Sequence, residues 1–210
     1  MKITWHGHAC FSVESGGSAL VLDPYQDPDG ILNLPPLSLT ADRVLCSHEH
    51  TDHNCREAVR LTGKPCGIHV ETVGSWHDGV QGALLGPNTI HILSDGEVRA
   101  AHFGDLESEL TDSQIAAIGK PDVLMINVGG FEYSLAAFAD RLCRLLSPRI
   151  VIPMHYRAED YGFYKAGTLE EFLSLRSDVV YHPGNSLVVD RAAPPQTAVL
   201  RYLRPGSARN

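Results

Sequence analysis

The chain has 210 residues, of which 43% are hydrophobic and 20% charged; this is ordinary usage for a folded domain and excludes wholesale disorder. Seventeen Lys and Arg against 25 Asp and Glu leave a formal charge of −8, which excludes an extended nucleic-acid or anionic-membrane surface, since both need clustered cations. No apolar run reaches the roughly 18 residues that would span a bilayer, and the start, Met1-Lys2-Ile3-Thr4-Trp5-His6, lacks the apolar core of a secretory signal. A cytoplasmic protein without a membrane segment is the expectation. It fits the five cysteines (Cys10, Cys46, Cys55, Cys66 and Cys143), an odd number with no C-x-x-C pair, which read as reduced thiols.

In chain order, the first half predicts short strands with tight turns. Lys2–Trp5, Ala9–Glu14 and Ala19–Leu22 are apolar or alternating, and Ser15-Gly16-Gly17-Ser18 makes a hairpin turn between the last two. Asp42–Cys46 is another short apolar run, followed by polar residues and a stretch, Cys55–Leu61, that reads as helical. Asn88–Leu93 and Glu97–His102 flank Ser94-Asp95-Gly96, a second hairpin signal. The second half alternates. Thr111–Gly119 predicts a helix with Thr111 as N-cap and Gly119 as stop. Val123–Asn127 is a buried strand, Ser134–Leu146 an amphipathic helix and Arg149–Ile152 a strand. Thr168–Leu175 carries a capping-box pattern, Thr168 to Glu171. Val179–Tyr181 and Ser186–Val189 close the series. A strand-rich first half followed by strand–helix alternation predicts an α/β architecture of two sheets covered by helices on their outer faces. Residues 1–210 read as one domain, with 192–210 as a C-terminal extension in which Thr197–Leu203 can form a last edge strand.

Eleven histidines are the unusual part of the composition. Four candidate metal ligands stand within six positions of Ser47-His48-Glu49-His50-Thr51-Asp52-His53, a loop at the C-terminal end of a strand. Imidazole and carboxylate together suit Zn(II), Mn(II) or Fe, and no cysteine adjoins them to build a thiolate site. His48 and His50 can point one way and Asp52 and His53 another, so one loop can serve two ions, while Glu49 faces away. From the residues alone, His69, His77, His91 and His102 all compete as a further ligand.

The H-x-H-x-D-H pattern resembles the signature of the metallo-β-lactamase superfamily, and other segments match that family in order: Leu22-Asp23-Pro24, Trp76-His77-Asp78, His102-Phe103-Gly104-Asp105-Leu106 and Pro153-Met154-His155-Tyr156. The resemblance covers roughly residues 1 to 190 and is nearest to the small lactonase-like metallo-hydrolases. It implies an αββα sandwich of two mixed β-sheets flanked by helices, with the metal site at one sheet edge. It implies one metal on His48, His50 and His77, a second on Asp52, His53 and His155, and Asp105 bridging them. His8, Asp23 and His102 are expected behind these ligands, and Tyr156 is a candidate oxyanion or proton donor beside the catalytic Asp52 and Asp105.

The implied activity is hydrolysis, by a metal-bound hydroxide, of an ester, lactone or phosphoester bond in a small anionic substrate. Two divalent ions, Zn(II) first and Mn(II) or Fe as alternatives, would leave the inner site slightly positive and suited to an oxyanion. A di-iron redox protein on the same scaffold and a non-catalytic metal-binding protein are the alternatives. Expected partners are a small-molecule substrate and a second copy of the chain in a homo-oligomer, with no nucleic acid and no membrane. Gly129-Gly130-Phe131-Glu132-Tyr133 is a candidate anion cradle, Arg157–Lys165 a candidate lid, and the cleft walls are expected near Gln26–Leu39, Gly79–Gly86 and Arg157–Ala166.

Overall fold

Alternation of side chains along the first strands decides how the molecule is layered. In a computed structural model, which describes residues 1–131 and 133–203, the chain begins with β1 (Lys2–Gly7), β2 (Cys10–Ser15) and β3 (Ser18–Leu22). Ile3, Trp5, Phe11, Val13, Leu20 and Leu22 fall on one face and enter the main core. Cys10 and Val21 fall on the other face, where they join Tyr25, Leu32, Leu34, Ala41 and Val59 in a second apolar cluster. The period of two thus gives this sheet two buried faces.

The remaining strands are β4 (Leu39–Ala41), β5 (Arg43–Leu45), β6 (Val59–Leu61), β7 (His69–Trp76), β8 (Pro87–Ser94), β9 (Arg99–His102), β10 (Val123–Asn127), β11 (Ile150–Met154), β12 (Val179–Tyr181), β13 (Ser186–Val188) and β14 (Gln196–Val199). They form a five-stranded sheet in the order β13-β1-β2-β3-β5, a seven-stranded sheet in the order β12-β14-β11-β10-β9-β8-β7, and a two-stranded ribbon, β4-β6. Both large sheets are mixed: β3 and β5 run parallel, as do β9, β10, β11, β14 and β12, while the other pairs are antiparallel. β10 and β11 are buried along their whole length, as expected of parallel strands covered on both faces. The helices α1 (Asp112–Ile118), α2 (Ala136–Leu146) and α3 (Leu169–Leu173) complete an α/β sandwich: α1 packs on β7, and α2 on β10 and α3. The outer face of the five-stranded sheet is closed by the 25–41 span and the β4-β6 ribbon through the second apolar cluster.

The helix starts follow local chemistry. Thr111 and Thr168 each accept a bond from the backbone N–H three residues on, and Gln114 and Glu171 return the bond. Two expectations are corrected. Cys55–Leu61 is not a helix: Arg56–Ala58 make one 3₁₀ turn with no side-chain cap, and Val59–Leu61 then pair with Leu39–Ala41. A stretch this short has too few bonds to offset helix nucleation, and Val59 gains burial in the second cluster instead. The C-terminal strand is also not at an edge. Gln196–Val199 lies between β11 and β12, where all four residues are buried; positions 204–210 of the expected extension lie outside the described residues. β7 has no counterpart among the predicted strands; within it Gly74 sits mid-strand opposite Thr89. Among the described residues no helix is long and apolar enough to cross a membrane, and all five cysteines are free.

The rim opposite the histidine loop is fastened by Asp95, in the β8–β9 turn. Its carboxylate accepts bonds from the Ser15 hydroxyl (2.7 Å) and from the backbone N–H of Glu97 and Val98, and it stands 3.5 Å from the terminal ammonium. Burial raises the Asp95 pKa, but the N–H and hydroxyl donors outweigh it and hold the group at about 2. Because the folded value is depressed, this contribution is present above the unfolded carboxylate pKa and disappears as the pH falls through about 2. We predict that Asp95→Ala lowers stability by about 1–3 kcal/mol at neutral pH. Denaturant titrations should show the gap between variant and parent closing toward pH 2.

Candidate metal centre

The site residues arrive on loops at one rim of the sandwich. β1, β3 and β5 are mutually parallel by register, and so are β7, β9, β10 and β11. Their C-terminal ends therefore lie on one side. His8 follows β1, Asp23 follows β3, the His48–His53 loop follows β5, His77 follows β7, Asp105 follows β9 and His155 follows β11. Backbone bonds join the pieces across the sheets: Thr89 N–H donates to Ser47 O (2.8 Å) and His155 N–H to His8 O (3.2 Å). Three of these residues carry positive φ angles: His8 (51°), Asp23 (42°) and His155 (60°). Side chains other than glycine rarely hold such angles unless their surroundings impose them.

Asp105 is the hub. Its Oδ2 lies 3.1 Å from His53 Nε2, 3.2 Å from His77 Nε2 and 3.2 Å from His155 Nε2. Its Oδ1 accepts from Asn127 Nδ2 at 2.9 Å, and its own N–H donates to Asn88 Oδ1 at 3.0 Å. His48 Nε2 is 3.1 Å from His50 Nδ1, and Asp52 Oδ2 is 3.6 Å from His53 Nε2. The donor atoms fall into three groups, each within 4.8 Å: His48, His50 and His77; His48, His53 and Asp105; and His8, Asp52, His53 and His155. All seven side chains singled out as ligands in the sequence thus converge on one place. His48, His53, His77, Asp105 and His155 are buried there, while His50 is exposed and Asp52 half-buried.

A second layer fixes the imidazoles. The buried Asp23 accepts from His53 Nδ1 (2.8 Å), from Ser47 Oγ (2.6 Å) and from Ser47 N–H (2.7 Å). With the Ser47 hydroxyl proton given to Asp23, the Ser47 Oγ contact to His48 Nδ1 (2.9 Å) takes the His48 proton. One carboxylate therefore holds both His48 and His53 with the Nε2 lone pair facing the cluster. His102 uses both ring nitrogens elsewhere, donating through Nε2 to Ala9 O (2.9 Å) and accepting at Nδ1 from Gly104 N–H (3.2 Å). It braces the turn that presents Asp105. Gly104 can be only glycine: its φ is 52°, and a Cβ would stand 2.4 Å from Asn88 Oδ1 and from Ser47 Cβ.

Electrostatics favour a cation. Burial lowers the His48 pKa to about 3 and that of His8 to about 4, which favours the neutral form of both imidazoles. Burial also opposes charge on His53, but Asp105, Asp52 and Asp23 outweigh it and raise its pKa well above the usual imidazole value. Burial would raise the Asp105 pKa, yet His155 and His53 hold it well below the ordinary carboxylate range. Ionised carboxylates packed this deeply need a positive charge beside them. Among the described residues the buried His53 Nε2 and both ring nitrogens of His155 make no well-aligned hydrogen bond, the two Nε2 atoms only approaching Asp105 Oδ2 at 3.1 and 3.2 Å, as atoms aimed at a shared cation do.

Other expectations meet different geometry. Tyr156 is turned away by the positive φ of His155: its ring packs 5.5 Å from that of Trp5, and its hydroxyl accepts from Tyr161 Oη at 3.5 Å. Among the described residues its hydroxyl makes no hydrogen bond to the histidine cluster, so the geometry does not bring the expected oxyanion donor to it. His91 donates to Cys46 O, and His69 is exposed beside Glu71. The 157–165 span is anchored, with Gly162 N–H bound to Leu32 O and Phe163 stacked on Phe131 at 4.6 Å. Of the anion cradle, Glu132 lies outside the described residues, and the N–H groups of Gly129 and Gly130 are both taken by Asn127 Oδ1. The sequence reading missed Ser47, Asn88, Asn127 and Glu107. Asn127 left a signal, as the one polar residue ending the apolar run Val123–Asn127. Glu107 is buried beside Asp105, bound by the Tyr133 hydroxyl, and faces a cleft of about 600 Å³ that Trp76, Gln81, Tyr133 and Arg141 also line.

A family model for the β-lactamase superfamily domain matches residues 2–155, which contain every side chain of the cluster. The chain belongs to the metallo-β-lactamase superfamily. A UPF0173 protein of Pyrococcus furiosus is 29% identical over 198 residues, covering 82% of this chain and 89% of that protein. A UPF0173 metal-dependent hydrolase of Archaeoglobus fulgidus is 28% identical over 195 residues, covering 74% and 83%. Among solved structures, a candidate Zn-dependent hydrolase of the metallo-β-lactamase superfamily from Thermotoga maritima superposes with a TM-score of 0.71 at 29% identity, over 95% of this chain and 97% of that one.

In this member of the superfamily, the close approach of Gly129 to the β11 end sets the place of His155. A Cβ at position 129 would lie 1.9 Å from His155 O. We expect Gly129→Ala to push the His155 turn outward and to destabilise the fold by about 1–3 kcal/mol, as overpacking does, measurable as a lower denaturation midpoint.

Proposed function

We propose that this protein is a metal-dependent hydrolase with a dinuclear centre, acting on an ester, lactone or phosphoester of a small anionic substrate. The observation that carries the reading is the convergence of six imidazole and carboxylate ligands on Asp105, whose Oδ2 is shared by His53, His77 and His155. His48, His50 and His77 would hold one ion, Asp52, His53 and His155 the other, and Asp105 would touch both. Zn(II) suits these donors, as do Mn(II) and Fe(II). Bound divalent ions of this kind lower the pKa of water to about 7 and stabilise the charge that develops on an attacked carbonyl or phosphoryl oxygen. The UPF0173 and Zn-dependent names of the relatives support the same class.

The chain's own residues prepare that chemistry. Asp23 and Ser47 fix the His48 and His53 tautomers, so neither of these two imidazoles has to reorient during turnover. Asn127 and Asn88 hold Asp105 from both sides, leaving its Oδ2 for the centre. The exposed ring of His50 marks the side from which substrate approaches. The cleft beside Glu107 and Trp76 is the proposed substrate wall; of the segments expected to form it, Gly79 and Gln81 contribute.

Elemental analysis of protein purified without added metal, followed by assays on lactones, phosphodiesters and thioesters, tests the reading; absence of bound metal overturns it. Dioxygen uptake with an iron chromophore would instead favour redox chemistry. We predict that Asp105→Asn lowers metal-dependent turnover by more than the roughly 10–100-fold that loss of an outer partner costs, with the circular dichroism spectrum retained. Full activity in that variant would refute the shared-ligand role. Metal content should also fall as the pH drops through the range near 6–7 where free imidazole takes up protons. Because the surrounding carboxylates favour protonated His53 in the metal-free protein, loading should release protons, and calorimetry in buffers of differing ionisation enthalpy reads that release.

A further inference from the structure

The reading above assigns three protein ligands and a shared carboxylate to each ion. It leaves His8 unexplained, and the geometry around that residue is not that of a packing histidine. Its side chain is 2% exposed. Its Nε2 lies 3.1 Å from Asp52 Oδ2, and its ring centroid is 3.8 Å from that of His155 and 5.1 Å from that of His53. The donor atoms of His8, Asp52, His53 and His155 all lie within 4.8 Å of one another. Ligands about 2.0–2.2 Å from one ion stand at most about 4.4 Å apart, so a closing shift of a few tenths of an ångström places all four on a single cation.

The backbone is built to hold the ring there. His8 has a φ of 51° and follows Gly7 at 103°. Its carbonyl accepts from both Trp5 Nε1 (2.9 Å) and His155 N–H (3.2 Å). The β1–β2 turn is thus pinned to the turn that presents His155, which sets the two imidazoles side by side.

We infer that His8 supplies, through Nε2, a fourth protein donor to the cation position formed by Asp52, His53 and His155. The inference rests on the dinuclear reading and sharpens it. The two positions become unequal: one has four protein donors besides Asp105, whereas the other has three histidines, one of them exposed. The first fills before the second and releases its ion last. The competing role for His8 is to orient Asp52 by donating a hydrogen bond, and the two roles require opposite tautomers. A ligand has a bare Nε2 bound to the ion, whereas a hydrogen-bond donor keeps its Nε2 proton.

Long-range proton–nitrogen NMR of the ¹⁵N-histidine protein, stripped with chelator and then titrated with Zn²⁺, separates them. The expected result is that His8 Nε2 moves to the metal-bound range at the first equivalent, together with the Nε2 atoms of His53 and His155. A His8 Nε2 that stays protonated while the other two shift overturns the inference and leaves the dinuclear reading intact. If no histidine responds to Zn²⁺, both fall. As a second measurement, His8→Gln keeps an N–H donor but cannot replace the imidazole. It should weaken the tighter of the two zinc equivalents by about 10-fold or more and change the visible absorption of the Co²⁺-loaded protein. Wild-type zinc retention and an unchanged Co²⁺ spectrum in this variant overturn the ligand role. Where the variant does not fold, the wild-type NMR titration decides alone.

Discussion

A buried carboxylate that meets three imidazoles is the constraint around which this rim is organised. Asp105 is 3% exposed, and one of its oxygens is shared by histidines from three separate loops. An ion in that position is tolerable only if charge and hydrogen bonds compensate it, and the neighbouring elements supply both. Asn88 from β8 and Asn127 from β10 bind its backbone and its second oxygen. Gly104 lets the preceding turn pass between Asn88 and Ser47, and His102 props that turn from behind. Asp23 repeats the logic one layer out, where a single carboxylate holds Ser47, His48 and His53 in one protonation pattern.

Strand direction is what brings these residues together. The strands that end at the cluster are parallel within each sheet, so their C-terminal ends coincide although the residues are up to 147 positions apart, from His8 to His155. The register of β10 against β11 pairs Asn127 with Met154, which sets Asn127 and His155 side by side at the rim. Positive φ angles at His8, Asp23 and His155 then turn three of the loops inward. The polar fastening at the far rim, through Asp95 and Ser15, leaves the two sheets bound at both ends with the apolar core between them.

Much of this was legible in the sequence, because metal ligands are chemically distinctive and the histidine loop compresses four of them into six positions. The hairpins at Ser15–Ser18 and around Gly96 announced themselves through turn chemistry, and both threonine caps through their partners three residues on. The parts that were not legible depend on tertiary contacts. Val59–Leu61 forms a strand because Leu39–Ala41 is there to pair with it. Gln196–Val199 is an inner strand because β12 turns back beside it. The hydroxyl of Tyr156 is directed by the backbone angle of its neighbour, which spacing does not reveal. Asn88 and Ser47 look like ordinary polar residues until the two sheets close, when the side chain of Asn88 is found accepting from the Asp105 N–H and the hydroxyl of Ser47 is found donating to Asp23 while accepting from His48.

The span from Pro24 to Ala41 adds no strand to either large sheet; its one ladder, β4 with β6, is self-contained. It lies over the five-stranded sheet as a cover held by the apolar side chains of Tyr25, Leu32 and Leu34 and by single backbone bonds, such as Gln26 N–H to Thr51 O and Gly162 N–H to Leu32 O. Such a cover can be lengthened, shortened or exchanged without breaking a hydrogen-bonded register elsewhere. The fold thus sets an adjustable wall beside a rim whose geometry is fixed by the strands beneath it, so that the wall can change shape while the histidine cluster stays as it is.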